Sequence, residues 1–218
     1  MKYDALIFDM DGTLVHNMPT HNLAWQDTLA EAGVHIDVDE FNRATTGKKN
    51  LEILRMMLGP QISEAEVAYW GERKEALYRE RFALCREPLP GLLDLLEQAH
   101  RLGLPLAVAS AAPPENIPFI LDELDLRRHF QAVVGGQDVQ HGKPNPEIFL
   151  KSARILGVAP ERCLVFEDAL AGIEAAQRAG MDAVMLCTTI EAEAVAGQAH
   201  VLCAVPDFTH LDLPTLVG

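Results

Sequence analysis

Apolar and polar positions follow two different rhythms along the chain. The first run, Ala5-Leu6-Ile7-Phe8, is unbroken and stops abruptly at Asp9-Met10-Asp11-Gly12-Thr13. Such a run fits a short strand buried on both faces, as in a parallel sheet covered by helices. From His16 to Leu84 the pattern is helical. Leu23, Trp25, Leu29 and Ala32 recur at helix-like spacing before Gly33, and Leu51, Leu54, Met57 and Leu58 repeat it in the segment Gly47 to Leu58. Ser63 and Glu66 form a capping box that opens a long helix toward Leu84. Its charges, Glu72, Arg73, Lys74, Glu75, Arg79, Glu80 and Arg81, read as a solvated face, with Glu75 and Arg79 paired across one turn. Pro88, Pro90 and Gly91 close the helical stretch.

From Gly91 onward helices and strands alternate. Leu92 to Arg101, Pro114 to Leu124, a segment capped by Asn145 with Pro146 in its first turn and running to Leu156, and Leu170 to Ala179 read as helices. Leu106 to Ala109, Ala132 to Val134, Cys163 to Phe166 and Ala183 to Cys187 read as strands, and the less regular tail holds one more at Val201 to Val205. This alternation predicts an α/β fold, a doubly wound parallel sheet with right-handed crossovers. The helical stretch then becomes an inserted all-helical domain, 16–85, within a core of 1–15 and 86–218. Hinges are expected near Leu14 to His16 and Cys85 to Pro90.

Charge narrows the partners. With 18 basic and 32 acidic residues the formal net charge is −14, so neither nucleic acid nor an anionic membrane surface is an expected partner. An anionic substrate would need local cations or a metal. Cys85, Cys163, Cys187 and Cys203 lack paired ligand spacing and read as reduced thiols. Met1-Lys2 leads straight into the first strand and no stretch approaches a membrane span, so a cytoplasmic location is the expectation; a monomer is the default, which the sequence does not fix.

In open α/β sheets, ligands bind at the C-terminal ends of the strands. The first strand delivers Asp9 and Asp11 there, the second Ser110, and the fourth Glu167 and Asp168. Between them Lys143 is held in Gly142-Lys143-Pro144-Asn145-Pro146. Each has a blander reading: Asp9 and Asp11 could form an Asx-type turn, and Lys143 could be an exposed loop lysine. Together they describe a pocket for phosphoryl transfer. A carboxylate nucleophile meets an anionic phosphate, so Mg²⁺ held by Asp9 and Asp168 would neutralise the repulsion, with Lys143 adding a compact positive charge. Ser110 and the backbone amides of the turn after Asp11, including Gly12 and Thr13, can hold phosphoryl oxygens. Asp11 is placed to give and take a proton.

Asp9-x-Asp11-Gly12-Thr13, Ser110, Lys143-Pro144 and Glu167-Asp168, in that order, resemble the four motifs of the haloacid dehalogenase superfamily of phosphohydrolases. The inserted helical block is similar to its small helical cap. Gly142 to Phe149, Glu167 to Ile173, and His21 with Trp25 resemble the branch containing β-phosphoglucomutase and many sugar-phosphate phosphatases. The resemblance covers nearly the whole chain up to about Cys187. It implies a Rossmann-like core, an aspartyl-phosphate on Asp9, Asp11 as general acid/base, and Mg²⁺ on Asp9, the main-chain carbonyl of Asp11 and Asp168, with Glu167 in the outer shell.

Within that branch two departures count against a mutase, which must hold a second phosphate from the cap. The mutase's arginine, three residues after a cap glycine, is matched here by Asn50 after Gly47. Its Ser-Lys-Asn run has no counterpart in Ser110-Ala111-Ala112-Pro113. The expectation is therefore a phosphatase acting on a small phosphorylated metabolite of the sugar-phosphate kind. The alternatives are a phosphoglucomutase-type isomerase and a non-catalytic phosphometabolite-binding protein. Ala111, His21, Trp25, Gly47, Lys48, Lys49 and Asn50 are the candidate substrate contacts. Helix packing competes for His21 and Trp25, and a solvated helix start competes for Lys48 and Lys49.

Overall fold

A computed structural model describes residues 1–45 and 48–218. The chain divides into two compact units, Met1–His16 with Glu87–Gly218, and Asn17–Arg86. The first unit is built on strands β1 (Ala5–Phe8), β2 (Leu106–Ala109), β3 (Ala132–Val134), β4 (Cys163–Glu167), β5 (Asp182–Leu186) and β6 (Val201–Val205). All neighbours are parallel, in the order β3-β2-β1-β4-β5-β6, so the strand carrying the two aspartates lies at the centre of the sheet. β1, β2 and β4 are buried along their whole length, which is why they read as unbroken apolar runs rather than alternating ones.

Alternate residues of each strand feed two cores. Ile7, Ala107, Ala109 and Val165 pack with Phe149 and Ala153 of one helix and Ile173 and Ala176 of another. On the other side Phe8 stacks on Phe166 with ring centroids 4.6 Å apart, and Phe208 and Phe130 close around the pair. The helices of this unit are Leu92–Arg101, Asn116–Leu121, Glu147–Leu156, Leu170–Arg178 and Leu213–Val217. The expected helix Pro114 to Leu124 is shorter. It stops at Leu121, and Asp122 to Asp125 turn instead, with Asp125 at a left-handed φ of 54°. The helix expected to begin with Pro146 in its first turn begins at Glu147, whose N–H donates to Asn145 Oδ1 at 3.0 Å.

The second unit contains α1 (Met18–Glu31), α2 (Val38–Thr45), α3 (Asn50–Leu58) and α4 (Glu64–Phe82). The capping box at Ser63 and Glu66 is formed as expected. The buried stripe of α1 is His21, Ala24, Trp25, Thr28 and Leu29, while Leu23 is exposed. In α3 it is Ile53 and Leu54, while Leu51 is exposed. Trp25, Leu29, Phe41, Ile53 and Leu54 form this unit's own core. Among the described residues no helix is long and apolar enough to cross a membrane.

Candidate active site

Parallel strands that start from one edge end at one lip, and here that lip gathers the predicted acids and the lysine. Asp9 follows β1, and its N–H donates to Phe166 O of the adjacent strand at 2.9 Å. After it the chain turns sharply: Gly12 has φ of 81°, and its N–H reaches Val15 O at 2.9 Å. A side chain at position 12 would be strained, and its Cβ would lie 2.0 Å from Asp168 Oδ2. The backbone of the first motif therefore lies against the carboxylate of the fourth.

Lys143 ties the lip together. Its Nζ donates to Asp9 Oδ1 and to Glu167 Oε1, both at 2.5 Å, and to Ala109 O at 3.2 Å. The bland reading of an exposed loop lysine is excluded, because its side chain is 8% exposed. Glu167 is fixed at its other oxygen, which accepts from the N–H groups of Asp168 and Ala169 at 2.9 Å each. Carboxylate oxygens of Asp9, Glu167 and Asp168 lie within 4.8 Å of one another, all three residues buried. Three carboxylates so close, with one lysine among them, carry excess negative charge. The all-oxygen donor set fits a hard divalent cation such as Mg²⁺.

The electrostatics agree. Burial foremost, with Glu167 and Asp11 adding repulsion, pushes Asp9 up to about 7 against the pull of Lys143. Burial likewise holds Asp168 well above the usual carboxylate range, reinforced by Glu167 and Asp9. Burial alone would lower Lys143, but the Asp9 and Glu167 carboxylates outweigh it and raise it, so the ammonium persists.

The other core residues take quieter positions. Asp11 is half-buried, Thr13 is fully buried, and Ser110 is buried at the end of β2, its Oγ accepting from Ala112 N–H at 3.1 Å. Ala111 beside it is exposed. Three residues that the sequence reading passed over also belong here. Thr189 donates to Asp168 Oδ2, and Thr188 donates to the Gly12 carbonyl at 2.5 Å. The signal was a strand end: β5 stops at Leu186, and the pair follows after Cys187. The third is Gly172, where a Cβ would meet Glu167 Oε1 at 1.8 Å. A Gly172→Ala variant is accordingly expected to displace Glu167 and lose about 10–100-fold in kcat. Its far-UV circular dichroism should be unchanged, since alanine favours the helix; turnover equal to the parent would contradict the contact.

In the helical unit the solvated-face reading of α4 is corrected at two positions. Lys74 and Glu75 are each 3% exposed and pair at 2.8 Å, and Arg79 donates to Glu72 at 2.7 Å. Lys74 Nζ also meets His21 Nδ1 at 2.7 Å, beneath the Trp25 ring, and Glu75 Oε1 accepts from Asn50 at 2.7 Å. His21 stacks on Tyr78. Four candidates or neighbours, His21, Trp25, Asn50 and Lys74, thus converge on one buried cluster, while Lys48 and Lys49 are exposed and Gly47 lies outside the described residues.

Burial would raise Glu75, but Lys74, His21 and Asn50 outweigh it and hold the carboxyl below its ordinary 4.5. Its stabilisation is therefore complete above pH 4.5 and is lost as pH falls through the lower folded-state value. Glu75→Gln is expected to unfold roughly 4–8 °C below the parent at pH 7. The gap should narrow in thermal scans below pH 4.5; a gap independent of pH would refute the assignment.

A family description, "haloacid dehalogenase-like hydrolase", matches residues 3–180. The chain belongs to the haloacid dehalogenase-like hydrolases. It is 38% identical over 186 residues to the fructose-1-phosphate phosphatase YqaB of Escherichia coli K12, covering 84% of this chain and 96% of that one. It is 34% identical over 189 residues to the β-phosphoglucomutase of Bacillus subtilis, covering 83% and 81%. The crystal structure of CbbY from Rhodobacter sphaeroides in complex with xylulose-(1,5)bisphosphate superposes with a TM-score of 0.83 at 27% identity, covering 96% of each chain. In enzyme class this haloacid dehalogenase-like hydrolase is a phosphoric monoester hydrolase.

Proposed function

We propose that this enzyme is an Mg²⁺-dependent phosphatase that hydrolyses a small sugar phosphate through an aspartyl-phosphate on Asp9. The observation that carries the proposal is the buried array in which the Lys143 ammonium bridges Asp9 and Glu167 beside Asp168. Relatives named for phosphorylated sugars support the substrate class.

Asp9, Asp168 and the main-chain carbonyl of Asp11 would hold the cation, with Glu167 behind them. When bound, it neutralises the facing anions of nucleophile and phosphate. Lys143 keeps Asp9 oriented and draws charge from the phosphoryl oxygens. An Asp9 carboxylate oxygen attacks phosphorus in line with the ester oxygen, whose bond to phosphorus breaks with its electron pair. Asp11 delivers a proton to that oxygen and the alcohol departs. In the second half-reaction Asp11 takes a proton from water as the water oxygen attacks the phosphoryl group. The bond from phosphorus to Asp9 breaks, and inorganic phosphate leaves. Buried Ser110 and the turn at Gly12 and Thr13 are the groups available to hold the remaining oxygens.

Timed phosphorus NMR tests this with Mg²⁺ and a panel that includes fructose 1-phosphate and β-glucose 1-phosphate, the latter with a trace of glucose 1,6-bisphosphate. Inorganic phosphate should appear with the parent and not with Asp9→Asn. Glucose 6-phosphate growing without free phosphate would replace the proposal with an isomerase. Retained ligand binding with no turnover on a broad sugar-phosphate panel would replace it with a binding protein.

A further inference from the structure

The turn after β5 places two adjacent hydroxyls on two different parts of the site. Thr189 donates to Asp168 Oδ2 at the end of β4, and Thr188 donates at 2.5 Å to the carbonyl of Gly12, in the turn after β1. Those two targets touch, since a Cβ on Gly12 would lie 2.0 Å from Asp168 Oδ2. A carboxylate that is 3% exposed must be hydrogen-bonded to keep one orientation. The threonine hydroxyl donates and the carboxylate oxygen accepts. From one dipeptide, the turn after β5 reaches both the Asp168 carboxylate and the first-motif turn.

We propose that Thr188 and Thr189 are positioning residues for divalent-cation binding, with Thr189 fixing the Asp168 carboxylate in its coordinating orientation and Thr188 holding the Asp11–Gly12 turn against it. The proposal rests on the reading of Asp168 as a metal ligand. Both threonines act through groups of the chain, the Gly12 carbonyl and the Asp168 carboxylate. Their effect is to present the cation with donors already in place, in the way that partners behind metal ligands set affinity.

The test is titration of the metal-free protein with Mn²⁺, followed by calorimetry or by the electron paramagnetic resonance of free Mn²⁺, for the parent, Thr189→Val, Thr189→Ser and Thr188→Val. Valine keeps the shape of threonine and removes the donor; serine keeps the donor and removes the methyl group. Thr189→Val is expected to bind Mn²⁺ about 10–100-fold more weakly, with Thr188→Val also weakened and Thr189→Ser near the parent. In steady-state assays the concentration of Mg²⁺ needed for half-activation should rise in Thr189→Val, while kcat at saturating Mg²⁺ stays close to the parent. A parent that binds Mn²⁺ while Thr189→Val binds it equally well would overturn the positioning role alone. So would equal losses in the valine and serine variants, which would indicate packing rather than the hydroxyl. A parent that binds no Mn²⁺ would overturn the metal reading itself.

Discussion

Asp168→Asn is expected to abolish turnover and yet to unfold at a higher temperature than the parent when divalent metal is absent. The expectation follows from the sign of the shifts at the lip. Asp9 is raised to about 7 and Asp168 well above the usual range, both chiefly by burial. An acid whose folded-state value exceeds its unfolded one binds its proton more tightly when folded. Stability therefore falls as pH rises from the unfolded value near 3.8 toward the folded one. At pH 8 the metal-free enzyme bears the full cost of crowded buried carboxylates. Asparagine at 168 removes one of those charges and still offers an oxygen to Thr189. A rise in Tm of about 3–8 °C at pH 8 is expected, shrinking toward pH 4 where the parent's carboxyls are protonated. Adding Mg²⁺ should raise the parent's Tm and leave the variant's unchanged. Calorimetry with a chelator and then with Mg²⁺ checks both halves. A variant less stable than the parent under chelation would mean that Asp168 is there for structure rather than for a cation.

How much of this arrangement was legible in the sequence depends on the range of the interaction. The strands β1 and β2 follow their apolar runs because both faces of each are covered, so no competing pattern blurs them. The convergence of Asp9, Glu167 and Asp168 was legible for the same reason: parallel strands of one sheet end on one side, and the acids come at the ends of their apolar runs. What was not legible depends on partners far away in the chain. Lys74 and Glu75 sit among charges that a single helix places in water, and partners such as His21, 53 residues before Lys74, and Asn50, 25 before Glu75, stabilise their burial. The exposure of Leu23 and Leu51 belongs to the same lesson, since the buried stripes of α1 and α3 were set by what packs against them. Thr188 and Thr189 follow the rule that exposed the acids, but a threonine after a strand carries no chemistry until the groups it meets are known.

Lys143→Met is expected to produce the largest loss of stability among substitutions at the lip, together with loss of turnover. Methionine fills similar space without a charge, so the two carboxylates that the ammonium separates, Asp9 and Glu167, would face each other across an apolar side chain. Breaking a buried ion pair by removing one partner costs about 3–5 kcal/mol, because the remaining charge is left without compensation. For a chain of this length that corresponds to a fall in Tm of roughly 6–15 °C at pH 8. The pH dependence separates this mechanism from simple loss of packing. Without Lys143 the pull that restrains Asp9 is gone, and its carboxyl would hold its proton to a higher pH than the present value of about 7. Protonation then relieves the repulsion, so the variant's deficit should be greatest at pH 8 and should diminish steadily toward pH 5. A deficit that does not change between those limits would indicate a packing defect and remove the ion pairs from the account. Activity supplies the second arm. Added Mg²⁺ should recover part of the stability, since a cation can take up some of the charge that the lysine neutralised. It should not recover turnover, because the ammonium that orients Asp9 is attached to the chain and its place between the two carboxylates is not one a hydrated cation reproduces.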